Sequence, residues 1–366
     1  MTVSLCIIAY NEEKVIKNLL SQVLSQTYPH NKTEIVLVDS NSQDNTKKLF
    51  TDFCAEYKNK YIAIKVLENK KQSQASGWNT AIKNAVGDII IRLDAHAEIP
   101  QNFIENNVKL IQSGESVCGG ARPSIVDEPT PTKEMLFLAE NSMFGSSIAG
   151  YRRESTQKKY VSSLFHGAYR REVFEKVGGF NEDLGRTEDN ELHYRIRQAG
   201  YKICQGSDII SYQHTRGTLG GMLKQKFGNG KWVGLTLGVC PKCLSLFHFV
   251  PFCFVFALIL FSVFAVIGAV LGKTVFAIPL YALLLLYLLA DLAMTVLAII
   301  PSKKHPVQLL LPFVFFMLHF SYGIGTLIGL IQLPFWKHSL DGSAQREIEN
   351  VKQCVKENSN KIPEDN

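Results

Sequence analysis

Two acidic clusters, far apart in the chain, carry the residue types that do chemistry. The first is Asp94–Ala95–His96 in "GDIIIRLDAHAEIP", residues 87 to 100, where an apolar run passes through Arg92 and Leu93 into a carboxylate and an imidazole. Residues two apart on a strand share a face, so Asp94 and His96 aim at one point. Together they offer one oxygen and one nitrogen to a divalent cation, with positions left for phosphate oxygens. A histidine bonded to a backbone carbonyl suits the same spacing, and the pair alone leaves both readings open.

The second cluster is Glu188–Asp189 in "VGGFNEDLGRTEDNELHYRIRQAGYKI", residues 177 to 203. Gly178 and Gly179 make a turn, and Thr187 is the expected cap of a helix running from Glu188 to Gly200. Carboxylates in a first helical turn are favoured by the positive end of the dipole. They serve there either as plain helix-start charges or as a general base at the mouth of a site. Glu191, Arg195 and Arg197 on the same helix are available to anchor the pair.

The elements that must position these groups alternate along the first 215 residues. "VSLCIIAY", "TEIVLVDS", "YIAIKVLE" and "DIIIRL" read as strands that are apolar throughout. Helical stretches separate them: Asn11 to about Gln26, one starting in "NSQDNTKKLF" with Ser42 as its cap, and "SQASGWNTAIKNAVG" closed by Gly87. Such alternation predicts a parallel sheet covered on both faces. Ligands then sit beyond the carboxyl ends of the strands, where Tyr10, Asn11, Asp39, Ser40, Asp94 and His96 fall. No Gly-x-Gly-x-x-Gly follows the first strand, which disfavours a nicotinamide or flavin site. The opening "MTVSLCIIAYNEE" has no basic region or cleavage site and reads as a first strand, not a signal peptide.

From Leu244 to Trp336 the composition changes. Leu244–Leu271 and Val307–Phe335 contain no Asp, Glu, Lys or Arg, and Val275–Ile300 contains only Asp291. Three such runs joined by short connectors predict a multi-pass membrane region. Lys224, Lys226, Lys231 and Lys242 precede the first run, Lys303 and Lys304 follow the second, and Lys273 alone lies in the first connector. That bias puts the N-terminal domain in the cytoplasm, and three crossings would put the tail outside. Asp291 is read as structural or interfacial. "VIGAVLGKT" falls short of a phosphate-binding loop because Ile267 stands where a glycine is required. The expected organisation is therefore 1–215 catalytic-sized, 216–243 amphipathic linker, 244–336 about three transmembrane helices, and 337–366 polar tail. A net charge of +6 without a basic aromatic stripe argues against nucleic acid as a partner. The Cys240 and Cys243 pair lacks the second pair of a zinc ribbon, and the eight cysteines read as reduced thiols.

"CIIAYNEE", "IVLVDSNSQDNT", "AVGDIIIRLDAHA", "YRREVFEKVGGFNEDL" and "TEDNELHYRIRQAGYKI" occur in the order typical of family 2 glycosyltransferases. Over about 215 residues the chain resembles that family, and "RLDAHAEIP", "TEDNEL" and the apolar runs look similar to its membrane-bound succinoglycan-type glucosyltransferase branch. The resemblance implies a GT-A fold (α/β, a Rossmann-like and mostly parallel mixed sheet) followed by a transmembrane helical region. It implies a nucleotide-sugar donor, inversion at the anomeric carbon, and a polyprenyl-diphosphate-linked or other lipid-associated acceptor at the cell membrane. Ala9, Tyr10, Glu12 and Asp39 would frame the uridine of a UDP-sugar. Asp94 and His96 fill the Asp-x-Asp position that holds the diphosphate through Mn²⁺ or Mg²⁺, with His214 of "SYQHTRG" a further metal ligand. Asp189 matches the base and Glu188 positions acceptor or base.

The chain departs from the family where Trp78 replaces a common Arg, leaving Lys71 to make the donor contact. "KQKFGNGKW" has Gln225 and Trp232, but not at the spacing of processive synthases. A polyprenyl-phosphate sugar transferase or a processive polysaccharide synthase is the alternative within the family, and a metal-dependent hydrolase around Asp94, His96 and His214 the alternative from another class. A transporter or scaffold fits less well, since the apolar runs hold one charge.

Overall fold

The computed structural model describes residues 1–145, 157–302 and 304–359. They form two compact units, the first from residues 1–123, 157–214 and 340–359, the second from 124–145 and the described part of 215–339.

The first unit opens with Val3–Ala9 (β1), Ile16–Leu24 (α1), Thr33–Asp39 (β2), Thr46–Tyr57 (α2), Ala63–Glu68 (β3), Gln74–Asn84 (α3) and Ile89–Asp94 (β4). Ala97–Glu98 (β5), Phe103–Gln112 (α4) and Val117–Ala121 (β6) follow. The chain then leaves for Ser124–Ile125 (β7) and Pro131–Asn141 (α5) of the second unit. It returns with Lys159–Val161 (β8), Gly167–Arg170 (β9), Arg171–Val177 (α6), Glu188–Gln198 (α7), Ile203–Ile210 (β10) and Tyr212–His214 (β11). The strands order as β3-β2-β1-β4-β9-β6-β10-β8. β3, β2, β1 and β4 are parallel, β9 runs antiparallel to both β4 and β6, and β10 is parallel to β6. The mixed sheet matches the expected class.

Period-two alternation explains why both faces are covered. Val3, Leu5 and Ile7 of β1 point into one core with Ile16, Leu19 and Val23 of α1, Phe50 of α2 and Phe103 of α4. Cys6 points into the other, with Trp78 and Ile82 of α3, Phe174 of α6 and Leu192 of α7. A strand buried on two faces needs no polar side, which is why these strands read as unbroken apolar runs.

Several helix starts differ from expectation. α1 begins at Ile16, not Asn11, because Asn11 takes a left-handed φ of 56° and its N–H donates to Ser42 Oγ at 3.0 Å. Ser42 is thereby spent on the β1 loop, and α2 starts later, behind Asn45. α3 is capped by Ser73, whose Oγ accepts from the Ser76 N–H at 3.2 Å. Gly87 lies beyond its end, where a Cβ would strike the β1 backbone at Val3 and Ser4.

The second unit continues with Leu219–Thr236 (α8), Val250–Val270 (α9), Ile278–Ile299 (α10) and Leu311–His338 (α11). Three segments among the described residues, Leu246–Val270, Thr274–Ile299 and Pro306–His338, are long and apolar enough to cross a membrane. Asp291 is buried and accepts from Thr295 Oγ1 at 3.4 Å, within its own helix.

The expected polar tail is instead the helix Ser343–Ser359 (α12), an integral part of the first unit. Val351 and Val355 are fully buried in the core with Trp78 and Phe174. Lys83 of α3 pairs with Glu347 at 2.6 Å, and the Gly179 N–H donates to the Ile348 carbonyl at 3.3 Å.

Candidate active site

The register of the parallel strands brings their carboxyl ends level. Asp39 lies beside Ala9 on one side and Glu68 on the other, and Asp94 lies beside Ile8. Loops leaving β1 and β2 are tied together there: the Ser40 N–H donates to the Ala9 carbonyl at 2.8 Å, and the Glu12 N–H to Thr46 Oγ1 at 2.8 Å. Asn41, like Asn11, is left-handed, with φ of 62°. Two non-glycine residues in that region, held by such bonds, form a rigid rim around the strand ends.

Asp39 is buried, takes the Ser42 N–H on Oδ2 at 3.2 Å, and has no partner for Oδ1. Tyr10 stands half-exposed beside it. An orphaned carboxylate oxygen under an open aromatic ring suits a ligand bearing both a base and hydroxyls. Lys71 is salt-bridged to Glu182 at 2.6 Å, so its ammonium is held near the same edge but already partnered.

Asp94 ends β4 in a buried position, 3.6 Å from His166 Nε2. Burial works to raise its carboxyl, but the ring of His166, with His96 and Arg92, outweighs it and holds Asp94 well below the usual carboxylate range. Burial pushes His166 itself down to about 4, so its ring is neutral at neutral pH. His96 follows on the partly exposed turn, with Nδ1 3.2 Å from Glu12 Oε1. Burial lowers its pKa, and Glu12 and Asp94 more than restore it, leaving it raised. β11 pairs antiparallel with β5, Tyr212 opposite Glu98 and Gln213 opposite Ala97. One further step along that register sets His214 across from His96, where its Nε2 pairs with Glu98 at 3.2 Å. Among the described residues no three His, Cys, Asp or Glu side chains stand close enough together to hold a metal ion. Asp94 ends β4, whereas His96 and His214 face each other at the end of the β5–β11 pair, and both imidazoles are turned to carboxylates, Glu12 and Glu98.

The acidic pair opens α7, as expected. Asp189 Oδ1 accepts from Arg92 Nη1 at 2.7 Å. Arg92 is 1% exposed and lies 4.5 Å over the Trp78 ring and 4.6 Å over Phe180. Glu188 is buried with Oε2 unpartnered; burial, then the charge of Asp189, pushes its pKa up to about 8. Burial raises Asp189 as well, against the pull of Arg92. The arrangement gives a neutral acid beside a carboxylate that is oriented by a buried guanidinium.

Sequence reasoning passed over Arg92 and His166. A charge inside an otherwise apolar strand was the available signal for Arg92, since a buried guanidinium must find a carboxylate. His166, in "LFHGAYRR", carries no local signal. Its role comes from the antiparallel β9, which pairs with β4 and brings the preceding loop to Asp94.

Residues 4–178 match the family model described as Glycosyl transferase family 2. A dolichyl N-acetyl-alpha-D-glucosaminyl phosphate 3-beta-D-2,3-diacetamido-2,3-dideoxy-beta-D-glucuronosyltransferase from Methanococcus voltae is 25% identical over 336 residues, covering 90% of this chain and 97% of the relative. Glycosyltransferase AglE from Haloferax volcanii is 31% identical over 230 residues, 63% of this chain and 72% of AglE. The backbone is similar to that of the Pyrobaculum calidifontis mannosyltransferase PcManGT, solved with GDP-Man and Mn²⁺. The TM-score is 0.54 at 19% identity, over 90% of this chain and 86% of that one. With a relative above 30% identity across most of its length, and the motif order and mixed sheet in agreement, the chain belongs to glycosyl transferase family 2 and has the GT-A fold.

Proposed function

We propose that the chain is an inverting hexosyltransferase that moves a sugar from a UDP-sugar to a lipid-linked saccharide. The observation that carries this reading is the Arg92–Asp189 ion pair at 2.7 Å. Arg92 lies two residues before Asp94 on β4, so the pair sets the base carboxylate beside the strand that ends at the donor clamp.

On this reading Ala9, Tyr10, Glu12 and Asp39 frame the uridine, and the free Asp39 oxygen accepts from a ligand N–H or O–H. Lys71 swings from Glu182 to the phosphates. Asp94, His96 and His214 suit a divalent cation by donor type, and they would hold one if the two imidazoles turned from Glu12 and Glu98 toward Asp94. Mn²⁺ or Mg²⁺ held by these residues would supply positive charge against that developing on the departing diphosphate. Asp189 takes the acceptor hydroxyl proton as that oxygen attacks the anomeric carbon opposite the leaving group, and the bond to the diphosphate breaks with inversion. Glu188, protonated at neutral pH, donates to the acceptor oxygen and keeps a second negative charge away from the base. The lipid-linked acceptor follows the name of the Methanococcus relative and the apolar helices, and the lysines flanking those helices support a cytoplasmic catalytic unit.

Asp189→Asn tests the assignment. Transfer should fall by a factor of about a thousand or more, near the upper range for general-base loss, while UDP-sugar affinity stays within about twofold. Wild-type turnover in this variant removes Asp189 from the role. A UDP-release screen over several nucleotide sugars, with and without polyprenyl-linked acceptors, tests the rest. Full activity in EDTA argues against the ion, and release of free sugar without acceptor favours hydrolysis.

A further inference from the structure

The first unit takes its residues from both sides of the apolar segment: 157–214 precede it and α12 follows it. α12 is no loose appendage, because Ala344, Ile348, Val351 and Val355 are buried and Lys83 holds Glu347. A compact unit lies on one side of a bilayer. Only four residues join α11 to α12, a reach of roughly 17 Å, against about 30 Å of hydrocarbon. The carboxyl end of α11 therefore lies on the same side as the first unit.

α8, where the segment begins, carries Lys224, Lys226 and Lys231 and cannot cross, since each costs about 3 kcal/mol near a bilayer centre. An even number of crossings is left for three apolar helices. The helix that does not cross is identified by its contact with α8. Gly230 and Gly234 of α8 and Gly325 and Gly329 of α11 form two Gly-x-x-x-Gly faces packed backbone to backbone. A methyl on Gly230 would strike the Tyr322 carbonyl, and one on Gly329 would strike the carbonyl of Lys231. Helices joined this closely share one depth, and three lysines fix that depth at the headgroups. α9 meets α11 near its own start, where a methyl on Gly323 would strike the Pro251 carbonyl, and α10 meets it through Tyr287 and His319. Apart from these contacts and the buried Asp291 and Thr295 both helices are apolar, with Val266 and Leu286 among their exposed side chains.

We infer that only α9 and α10 cross the membrane, and that α8 and α11 together form a surface that lies along the headgroups of the bilayer. Its chemistry suits that partner. Trp232 of α8 and Trp336 of α11 pack edge to face at 6.0 Å, two of the three tryptophans in the chain. Tryptophan concentrates at membrane interfaces. Phe313, Ile331 and Phe335 stand exposed on α11 for the acyl region, and Lys231 and Lys337 flank them for phosphates. Lys224, Lys226, Lys231, Lys242, Lys304 and Lys337 then lie on the side of the first unit, and Lys273 on the other.

Single cysteines placed at Lys47, Lys273, Ser302 and Asp341, with the native cysteines replaced by Ser, test the arrangement with a membrane-impermeant maleimide in sealed vesicles of both orientations. Position 273 should label from one side and positions 47, 302 and 341 from the other. Labelling of 341 from the side opposite 47 overturns the inference. So does 302 on the side of 273, or all four on one side. If the cysteine-free background does not fold, epitope tags inserted at 273 and 341 in the native-cysteine chain, read by antibody access, must give the same pattern.

Discussion

Arg92 is buried between two aromatic rings, and the carboxylate of Asp189 pairs with its charge. Lysine in its place keeps the charge but loses the planar fork that both stacks and aims. Arg92→Lys should therefore lower kcat about tenfold to a hundredfold, ~1.4–2.8 kcal/mol, with donor KM nearly unchanged. Arg92→Met leaves Asp189 unpaired and should cost on the order of 3–5 kcal/mol of stability, read by thermal unfolding. Glu188 makes a different prediction. Its folded pKa of about 8 lies above its ordinary value of 4.5, so the folded state binds the extra proton between the two and stability falls as pH rises through that window. Glu188→Gln carries no titratable proton there. Its melting temperature should decline less than that of the parent between pH 6 and 9, and an equal decline in both would remove Glu188 as the source. The places of Asp94 at a strand end and Asp189 at a helix start were legible because those are local features, while spacing alone left the part each plays open. Arg92 was visible as an oddity, but its partner lies 97 positions away, a distance no local pattern spans.

At the scale of elements, the contact of α8 with α11 rests on missing side chains. Gly329→Leu would drive a side chain into the Lys231 carbonyl. The cost should be about 1–3 kcal/mol, as for other overpacked contacts, lowering the melting temperature in detergent and the fraction recovered in membranes. Gly272→Ala is a control without a steric clash: nothing lies within 4 Å of a Cβ there, and only its φ of +65° opposes the change. The strands β1 to β4 were legible almost to the residue because burial on both faces leaves an unbroken apolar signature. Helix starts were less so, since Ser42 is as good a cap as any serine until the Asn11 N–H claims it. α12 was legible and was missed. Ala344, Ile348, Val351 and Val355 recur at helical spacing, but the many charges around them gave the segment the composition of a polar tail.

For the whole molecule, α12 makes the catalytic unit discontinuous in sequence. Val351→Asp puts an unpaired charge into the core around Trp78 and Phe174 and should lower the melting temperature of the catalytic unit as strongly as a substitution in its own strands. Gln345→Ala, on the exposed face of the same helix, should change it little. That discontinuity also sets an order of events during synthesis. Residues 1–214 leave the ribosome well before 344–355, and the whole apolar segment is made in between. Until residues 344–355 follow, the face of α3 and α6 that receives Val351 and Val355 stays open to water, so the catalytic unit is completed only after the apolar segment has been made. A soluble version cut before the first apolar helix would keep that greasy face permanently bare. Joining residues 340–359 to 214 through a flexible linker should restore a chain that stays monomeric without detergent.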